Sequence, residues 1–259
     1  MRFWDINPTH GNTKTQPNKK MRTKTLLVAV AALALSLATS QAQVYSANVV
    51  GYASVPLQSS VTYLLTCPFT VGVSNGANEV FNPPLPDFSQ LNIWNGGGYD
   101  TYFSDTGSTS GWDDVNQNPI PNAPILQVGI GFFLVPSANV TNTFVGQVAV
   151  NIGTTNSVVL NNSVTYLLSC AVPYSGAITN GGPSGGGPAL SSDNGLPDFS
   201  QLNIWNGGGY DTYFSDSTSP SLWDDVNQNP IGTPPSISVA QGFFLIPSAT
   251  FTWKVGLTP

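Results

Sequence analysis

The chain has 259 residues, with 7 Lys and Arg against 13 Asp and Glu, one histidine and two cysteines. A formal net charge of −6 argues against nucleic-acid binding, because that activity needs clustered Lys and Arg to neutralise phosphates. Typical zinc sites, which combine several His and Cys ligands, are disfavoured, and a Ser-His-Asp or Cys-His site could use only His10.

The N-terminus has the pattern of a secretory signal peptide. A basic segment that ends at Lys24 precedes the apolar run 26–37, and Ser40 and Ala42 are small residues at the positions that signal peptidase recognises. About a dozen apolar residues are too few to cross a bilayer, which takes roughly 20. We therefore expect residues 1–42 to be a leader and signal peptide, with Met21 as the natural start and 1–20 as an upstream extension.

Removal of this leader would change the charge of the chain sharply. Six of the seven basic residues and the only histidine, His10, precede Ala42, so Lys254 remains beside twelve carboxylates, a formal charge of −11. We expect a Sec-exported protein, secreted, periplasmic or at the cell surface, that binds no nucleic acid and does not insert into membranes after cleavage. Among catalytic chemistries, only carboxylate or metal chemistry remains.

Strand patterns follow the leader almost to the C-terminus. They are short, rich in Val, Ile, Thr, Tyr and Phe, and bounded by Gly, Pro, Asn and Ser. These patterns predict an all-β fold of the sandwich or barrel class. The predicted strands are 44–56, 61–67, 89–94, 99–104, 127–135, 143–150, 156–160, 164–171, 201–205, 210–215, 238–246 and 250–255.

The mature chain contains two copies of one sequence module. Residues 85–105 recur without a change at 196–216, and 112–120 recur at 223–231. The second copy has an insertion in the Gly-, Pro- and Ser-rich stretch 175–195, which we expect to be a surface loop. We therefore predict two tandem homologous β-sandwich or β-barrel-like modules, a first repeat at 43–147 and a second repeat at 148–259.

Cys67 and Cys170 occupy equivalent places at the ends of matching strands. In an exported protein two cysteines can form a disulfide, which here would bridge the repeats. Two small buried thiols are the alternative, and the sequence does not decide between them.

The sequence Asn95-Gly96-Gly97-Gly98 predicts a tight hairpin turn that places Trp94 opposite Tyr99. Aromatic rings beside Asn and Asp are suited to hold sugars, because rings stack on pyranoses while polar groups bind hydroxyls. Filling a small β core is the alternative role for these aromatics. The candidate sugar-binding residues are Trp94, Tyr99, Tyr102 and Trp112, with Trp205, Tyr210, Tyr213 and Trp223 in the second repeat.

An acidic block after each hairpin is a weak calcium candidate. Alternating Asp and Asn resemble the opening of a calcium loop, but Pro119 replaces the turn glycine and no glutamate follows. A turn capped by Asp and Asn side chains is the simpler interpretation. The candidate calcium ligands are Asp114, Asn116 and Asn118, with Asp225, Asn227 and Asn229.

The order of motifs resembles a module of uncharacterised secreted proteins from environmental Gram-negative bacteria. The resemblance is carried by 45–52 (YSANVVGY), 93–96 (IWNG), 131–136 (GFFLVP) and 143–146 (TFVG), and it covers nearly all of the mature chain. It implies an exported β-rich protein and no particular activity. This chain departs from that pattern at Cys67-Pro68, where the relatives often have Asn-Pro.

Two functional hypotheses follow from these observations. The first is an exported non-enzymatic protein with a structural, cell-surface or adhesive role, whose partners are polysaccharides or other surface proteins. The second is a bivalent carbohydrate-binding protein that uses the paired aromatic and Asn/Asp residues. A glycoside hydrolase that uses only carboxylates is a remote third, because Glu79 has no counterpart in the second repeat. We expect no cofactor other than, at most, calcium.

Overall fold

The computed structural model describes residues 49–182 and 186–257, so the predicted leader lies outside the described residues. The described residues fall within one compact unit. Strands dominate because short runs of β-branched and aromatic residues alternate with Gly, Pro and Asn turns. The predicted all-β class is therefore confirmed.

Within the described part of the chain, the first repeat forms the following elements: β1 (Val50–Leu57), β2 (Tyr63–Thr66), α1 (Ala77–Val80), β3 (Gln90–Trp94), β4 (Tyr99–Ser104), β5 (Trp112–Asp113), β6 (Gly131–Val135) and β7 (Val140–Gln147). The elements of the second repeat are β8 (Thr155–Leu160), β9 (Tyr166–Leu168), β10 (Gly176–Ala177), a 3₁₀ turn (Ser192–Asn194), β11 (Gln201–Trp205), β12 (Tyr210–Ser215), β13 (Trp223–Asp224), β14 (Ser236–Ile237), β15 (Phe243–Ile246) and β16 (Phe251–Gly256).

Both repeats build an antiparallel five-stranded sheet with the same strand order. The first sheet is ordered β2-β6-β3-β4-β5, and the second is ordered β9-β15-β11-β12-β13. In each repeat the first and last long strands pair separately, as the ribbons β1-β7 and β8-β16, and β10 pairs with β14. Every predicted strand has an observed counterpart, whereas the two-residue strands β5, β10, β13 and β14 were not predicted.

The ribbon β1-β7 depends on two facing glycines. Gly51 and Gly146 are partners in its register, and the segment Phe69-Thr70 lies against both. A Cβ at Gly146 would lie 2.4 Å from the Thr70 carbonyl oxygen, and one at Gly51 would lie 2.7 Å from the Phe69 ring. Thr70 and Gln147 exchange backbone hydrogen bonds there, at 2.7 and 2.9 Å. Glycine is therefore required for this close approach of two backbones.

One large apolar cluster contains buried side chains from both repeats. Leu91 and Leu134 of the first repeat belong to it together with Leu202 and Leu245 of the second. Leu91 and Leu202 have less buried neighbours on either side along β3 and β11, whereas β6 and β15 are buried along almost their whole length. The division into two modules at 147/148 stays a prediction, because one core spans both repeats.

The stretch 175–195, which contains the insertion of the second repeat, is more than the surface loop predicted for it. Ile178 and Leu190 are fully buried, and the Leu190 amide donates to the Ile178 carbonyl at 2.8 Å. Their apolar side chains belong to the large core, so this stretch contributes to packing.

Candidate functional site

The two β-hairpins place the first candidate aromatics as predicted. Trp94 of β3 faces Tyr99 of β4, and Trp205 of β11 faces Tyr210 of β12. In the first turn the Asn95 amide N–H donates to the Gly98 carbonyl at 3.1 Å, and Gly96 takes a φ of +95°. The Asn95 side chain accepts from the Gly98 amide at 2.9 Å and rigidifies the turn.

The hairpin tryptophans join the two repeats. The Trp94 ring lies edge-on to Phe244 of the other repeat at 5.9 Å, and Trp205 lies edge-on to Phe133 at 5.6 Å. These four rings, together with Leu64 and Leu167, form a separate apolar cluster, which we call the aromatic clasp. Edge-to-face pairs of this kind add roughly 0.5–1.5 kcal/mol each beyond the area that they bury.

Polar contacts around the clasp repeat with approximate twofold symmetry. The Thr66 amide donates to the Ala240 carbonyl at 3.0 Å, and the equivalent Ser169 amide donates to the Gly129 carbonyl at 3.0 Å. The Thr66 and Ser169 hydroxyls are themselves hydrogen-bonded, at 2.6 Å. The Trp205 indole N–H donates to the Thr62 carbonyl at 2.8 Å. Backbone groups at the free edges of β2 and β9 are thereby satisfied by the opposite repeat.

The other tryptophan pair lies in the protein core. Trp112 is 2% exposed and donates its indole N–H to the Asn78 side-chain oxygen at 2.7 Å. Trp223 is 0% exposed and donates to the Leu190 carbonyl at 3.2 Å. Neither ring has a free face on which a sugar can stack. The prediction of Trp112 and Trp223 as ligand-binding residues is therefore corrected: they are core residues.

The candidate tyrosines flank the tryptophans. Tyr99 and Tyr210 are partly exposed at the rim of the aromatic clasp, each edge-on to a phenylalanine at 5.7 Å. Burial, together with the proximity of Tyr210, raises the pKa of Tyr99 to about 12. Tyr102 and Tyr213 are half-buried against the main core, and burial raises the pKa of both. Of the eight predicted aromatics, only Tyr99 and Tyr210 present a large exposed ring.

The acidic blocks form hydrogen-bonded turns. The Asp114 carboxylate accepts from the Asn116 amide at 2.8 Å and from the Asn118 amide at 2.9 Å. The Asn118 side-chain N–H₂ also donates to it, at 3.2 and 3.3 Å. The second block repeats these contacts, with Asp225 accepting from Asn227 and Asn229.

These contacts favour the turn interpretation of the six residues, and the calcium site stays a prediction. The side-chain nitrogen of Asn118 is directed at Asp114, so this pair holds a turn and does not converge its oxygens on an ion. Hydrogen bonds from Asn118 and Asn229, respectively, lower the pKa of Asp114 and Asp225. Within residues 49–182 and 186–257, no group of three His, Cys, Asp or Glu side chains is placed to hold a metal.

The remaining carboxylates also hold loops. Asp113 and Asp224 are buried and accept from the hydroxyls of Ser108 and Ser219. The Glu79 carboxylate accepts from three backbone amides at the start of α1, and these bonds lower its pKa. Each of these acids stabilises a local turn by hydrogen bonds. Glu79 is the only glutamate, and it caps the N-terminus of α1.

Cys67 and Cys170 are free, buried thiols in the structure. The Cys67 thiol donates to the Phe69 carbonyl at 3.0 Å. Burial raises the pKa of Cys67 to about 11 and that of Cys170 to about 12. The disulfide alternative is therefore corrected in favour of two buried thiols, which are poor nucleophiles at neutral pH.

Two exposed phenylalanines were missed by the sequence analysis. Phe88 is 66% exposed and Phe199 is 64% exposed, and both adopt a φ of +64°. A bulky residue rarely adopts this left-handed conformation, which costs of order 1–3 kcal/mol. The Phe88 amide donates to the Ser104 carbonyl at 2.7 Å, and the Phe199 amide donates to Ser215 at 2.7 Å. We call the segments 86–89 and 197–200 the phenylalanine loops.

A hydrogen-bond network holds each phenylalanine loop in this conformation. The hydroxyls of Ser89 and Ser104 both donate to the Pro86 carbonyl at 2.6 Å, and the Ser137 hydroxyl donates to the Asp87 carbonyl at 2.6 Å. The second loop repeats the same bonds from Ser200, Ser215 and Ser248. One feature of the sequence could have indicated these loops. In the longest block that is identical in the two repeats, a phenylalanine stands between an aspartate and a serine.

The neighbouring aspartates brace these loops from the side. Asp87 accepts from the Thr106 amide at 2.8 Å and from its hydroxyl at 3.0 Å. Asp198 accepts from the Ser217 amide at 2.8 Å and from its hydroxyl at 2.7 Å. The two loops are thus matched in backbone conformation, exposed ring and supporting bonds.

Comparison with protein-family models, with curated proteins and with solved structures finds no match to this chain. Among the described residues, no helix has the length and apolar character needed to cross a membrane. The resemblance to secreted bacterial proteins stays a prediction.

Proposed function

We propose that this chain is an exported, non-catalytic protein with a structural, surface or adhesive role. The proposal rests on one observation. In both repeats, the tryptophans and carboxylates that could bind or transform a ligand instead stabilise the fold. Trp112 and Trp223 fill the core, Trp94 and Trp205 join the repeats, and the duplicated carboxylates brace turns. A scaffold of this kind keeps paired surface features at a fixed separation, which suits attachment to a repetitive partner.

Carbohydrate binding is the second candidate, and a cleft between the repeats favours it, although one shared cleft supports a single site rather than the bivalent arrangement. The cleft has a volume of about 310 Å³, at the lower end of the range for ligand sites. Tyr63 and Trp205 contribute aromatic surface to it, and Asn206 and Gln241 contribute amides. The indole N–H of Trp205 is already bonded to Thr62, so its ring face is the part that a sugar would use.

An assay of turnover separates the attachment role from the remote hydrolase alternative. The purified protein is incubated with polysaccharides, and released reducing ends are measured for the natural protein and for Asp113→Asn/Asp224→Asn. We expect no turnover by either protein. We also expect lower thermal stability of the variant, because the hydroxyls of Ser108 and Ser219 lose charged acceptors. Turnover that disappears in a folded variant would establish carboxylate catalysis and overturn the proposal.

Fractionation of producing cells tests the export part of the proposal. The protein is expected in the medium, the periplasm or the cell-surface fraction, with a mature N-terminus near residue 43. Edman sequencing or mass spectrometry of the intact chain reports that terminus. A full-length chain confined to the cytoplasm would contradict export.

A further inference from the structure

We infer that the two phenylalanine loops are paired binding sites for a neutral polysaccharide. The exposed rings of Phe88 and Phe199 are the contact surfaces, and the adjoining Asp87 and Asp198 provide hydrogen-bond acceptors. The assignment deepens the adhesive role proposed above and rests on it.

The first step is the strain of these loops. A phenylalanine that is about two-thirds exposed gains little from burial, yet each repeat has one at a φ of +64° in a loop held by hydrogen bonds. Glycine or asparagine would adopt this conformation at lower cost. Strained backbone conformations that are held in place by the surrounding contacts are typical of functional sites. The hydrogen bonds hold the backbone that carries each exposed ring, which reduces the backbone entropy lost on binding.

The second step is the chemistry around each ring. Each Asp87 oxygen already accepts one hydrogen bond from Thr106, and a carboxylate oxygen can accept another. A flat apolar ring beside hydroxyl acceptors fits a pyranose, which has an apolar face and peripheral hydroxyls. Lys254 is the only basic residue between 43 and 259, against twelve carboxylates, so an anionic ligand would be repelled.

The third step is a cavity that adjoins the first loop. Asp87, Asp105 and Thr106 line it together with Phe81 and Trp112, and its volume is about 220 Å³. Asp87 is the residue of the first phenylalanine loop that lines this cavity, and the cavity adds carboxylate and hydroxyl groups beside apolar surface.

The fourth step is the duplication itself. Two rigidly linked copies of one site suit a ligand that repeats along its length, because the second contact is then intramolecular. Such avidity is worth roughly 10²–10⁴ in apparent affinity. A polymer is therefore a better match than a single sugar.

The test is co-sedimentation of the purified protein with insoluble cellulose, mannan and β-1,3-glucan, with cross-linked polygalacturonate and with chitosan. We expect binding to at least one neutral polymer and none to polygalacturonate. Phe88→Ser or Phe199→Ser alone should weaken binding by about 100-fold, because avidity is lost, and the double variant should not bind. Phe88→Tyr/Phe199→Tyr keeps both rings and should bind as the natural protein does.

Val115→Ser/Val226→Ser is the matched control, because it changes another exposed apolar pair of the duplicated loops. It should leave binding unchanged, and thermal unfolding should verify that every variant is folded. Binding that survives the double serine variant would overturn the site while leaving the adhesive role standing. Binding to chitosan alone, or to no polymer, would overturn the ligand class. Turnover lost in Asp113→Asn/Asp224→Asn would instead overturn the proposed function.

Discussion

At the scale of single residues, the same residue type has opposite roles within one repeated block. Trp112 was predicted from its chemistry to bind a ligand. Instead its indole N–H donates a hydrogen bond to Asn78, 34 residues away, and the Trp112 ring is buried in the core. Phe88 stands in a polar loop, and its exposure follows from a backbone conformation that no periodic pattern encodes. Residue chemistry could therefore be predicted from the sequence, whereas burial depended on distant partners.

The two buried cysteines should be protected from reagents. We expect native protein to react slowly with a thiol reagent such as DTNB, and denatured protein to release two equivalents per chain, because both thiols are buried and free. The absorbance at 412 nm gives the count. Absence of thiols in denatured, unreduced protein would show a disulfide.

Alkaline pH should destabilise the fold through the same residues. The pKa of Cys67 is about 11 and that of Cys170 about 12 in the folded protein, against an ordinary 9.0. Their contribution to stability is therefore complete below pH 9 and is lost as pH rises towards these values, at about 1.4 kcal/mol per thiol and pH unit. Urea unfolding between pH 8 and 11 measures this loss, and Cys67→Ala/Cys170→Ala should reduce its slope.

Acid should destabilise the turns. Hydrogen bonds lower the pKa of Asp114, Asp216, Asp225 and Glu79 below their ordinary values of 3.8 and 4.5. Their contribution is present above about pH 5 and is lost as pH falls through the lowered values. Thermal unfolding from pH 6 to 3 should show falling midpoints, less steeply in Asp114→Asn/Asp225→Asn. An identical slope in that variant would exclude these turns as the cause.

At the scale of elements, the long strands were predictable because each combines β-branched or aromatic residues with turn residues at its ends. The hairpin register was predictable too, since the loop from Asn95 to Gly98 fixes Trp94 opposite Tyr99. The two-residue strands β5 and β13 were not, because a pair such as Trp112-Asp113 has no detectable period. Helix α1 was missed for the same reason, with four residues.

The glycine contact in the ribbon β1-β7 gives a prediction at this scale. Gly146→Ala should lower stability by about 1–3 kcal/mol, because its Cβ would lie 2.4 Å from a backbone oxygen that cannot rotate away. Gly97→Ala is the control, since a Cβ there meets nothing within 4 Å, and it should stay within about 0.5 kcal/mol. Chemical denaturation measures both. Equal stabilities would contradict the close approach.

At the scale of the whole molecule, the joining of the repeats was not predictable from the sequence. The clasp unites residues separated by long stretches of chain, such as Phe133 and Trp205, and no local pattern pairs them. The repeated sequence did predict that features occur in pairs. The phenylalanine loops and the clasp follow that rule, whereas the stretch 175–195 and α1 differ between the repeats.

The clasp should contribute measurably to stability. Trp205→Ala removes an edge-on contact with Phe133 and a hydrogen bond to Thr62, so we expect a loss of about 2–3 kcal/mol, below the range for fully buried Trp. A double-mutant cycle with Phe133→Ala should give a coupling of about 0.5–1.5 kcal/mol. Exposed Tyr52→Ala serves as the control and should be nearly neutral. Additive losses in the cycle would mean that the two rings do not interact.

Scanning calorimetry of the natural protein tests most directly whether the duplicated residues hold both repeats in one rigid scaffold. Because one core and the aromatic clasp contain side chains from both repeats, we predict a single transition with equal calorimetric and van't Hoff enthalpies. Trp205→Ala should shift that whole transition to lower temperature. Two resolved transitions, or a shift confined to one of them, would contradict a shared scaffold and a fixed spacing of the phenylalanine loops.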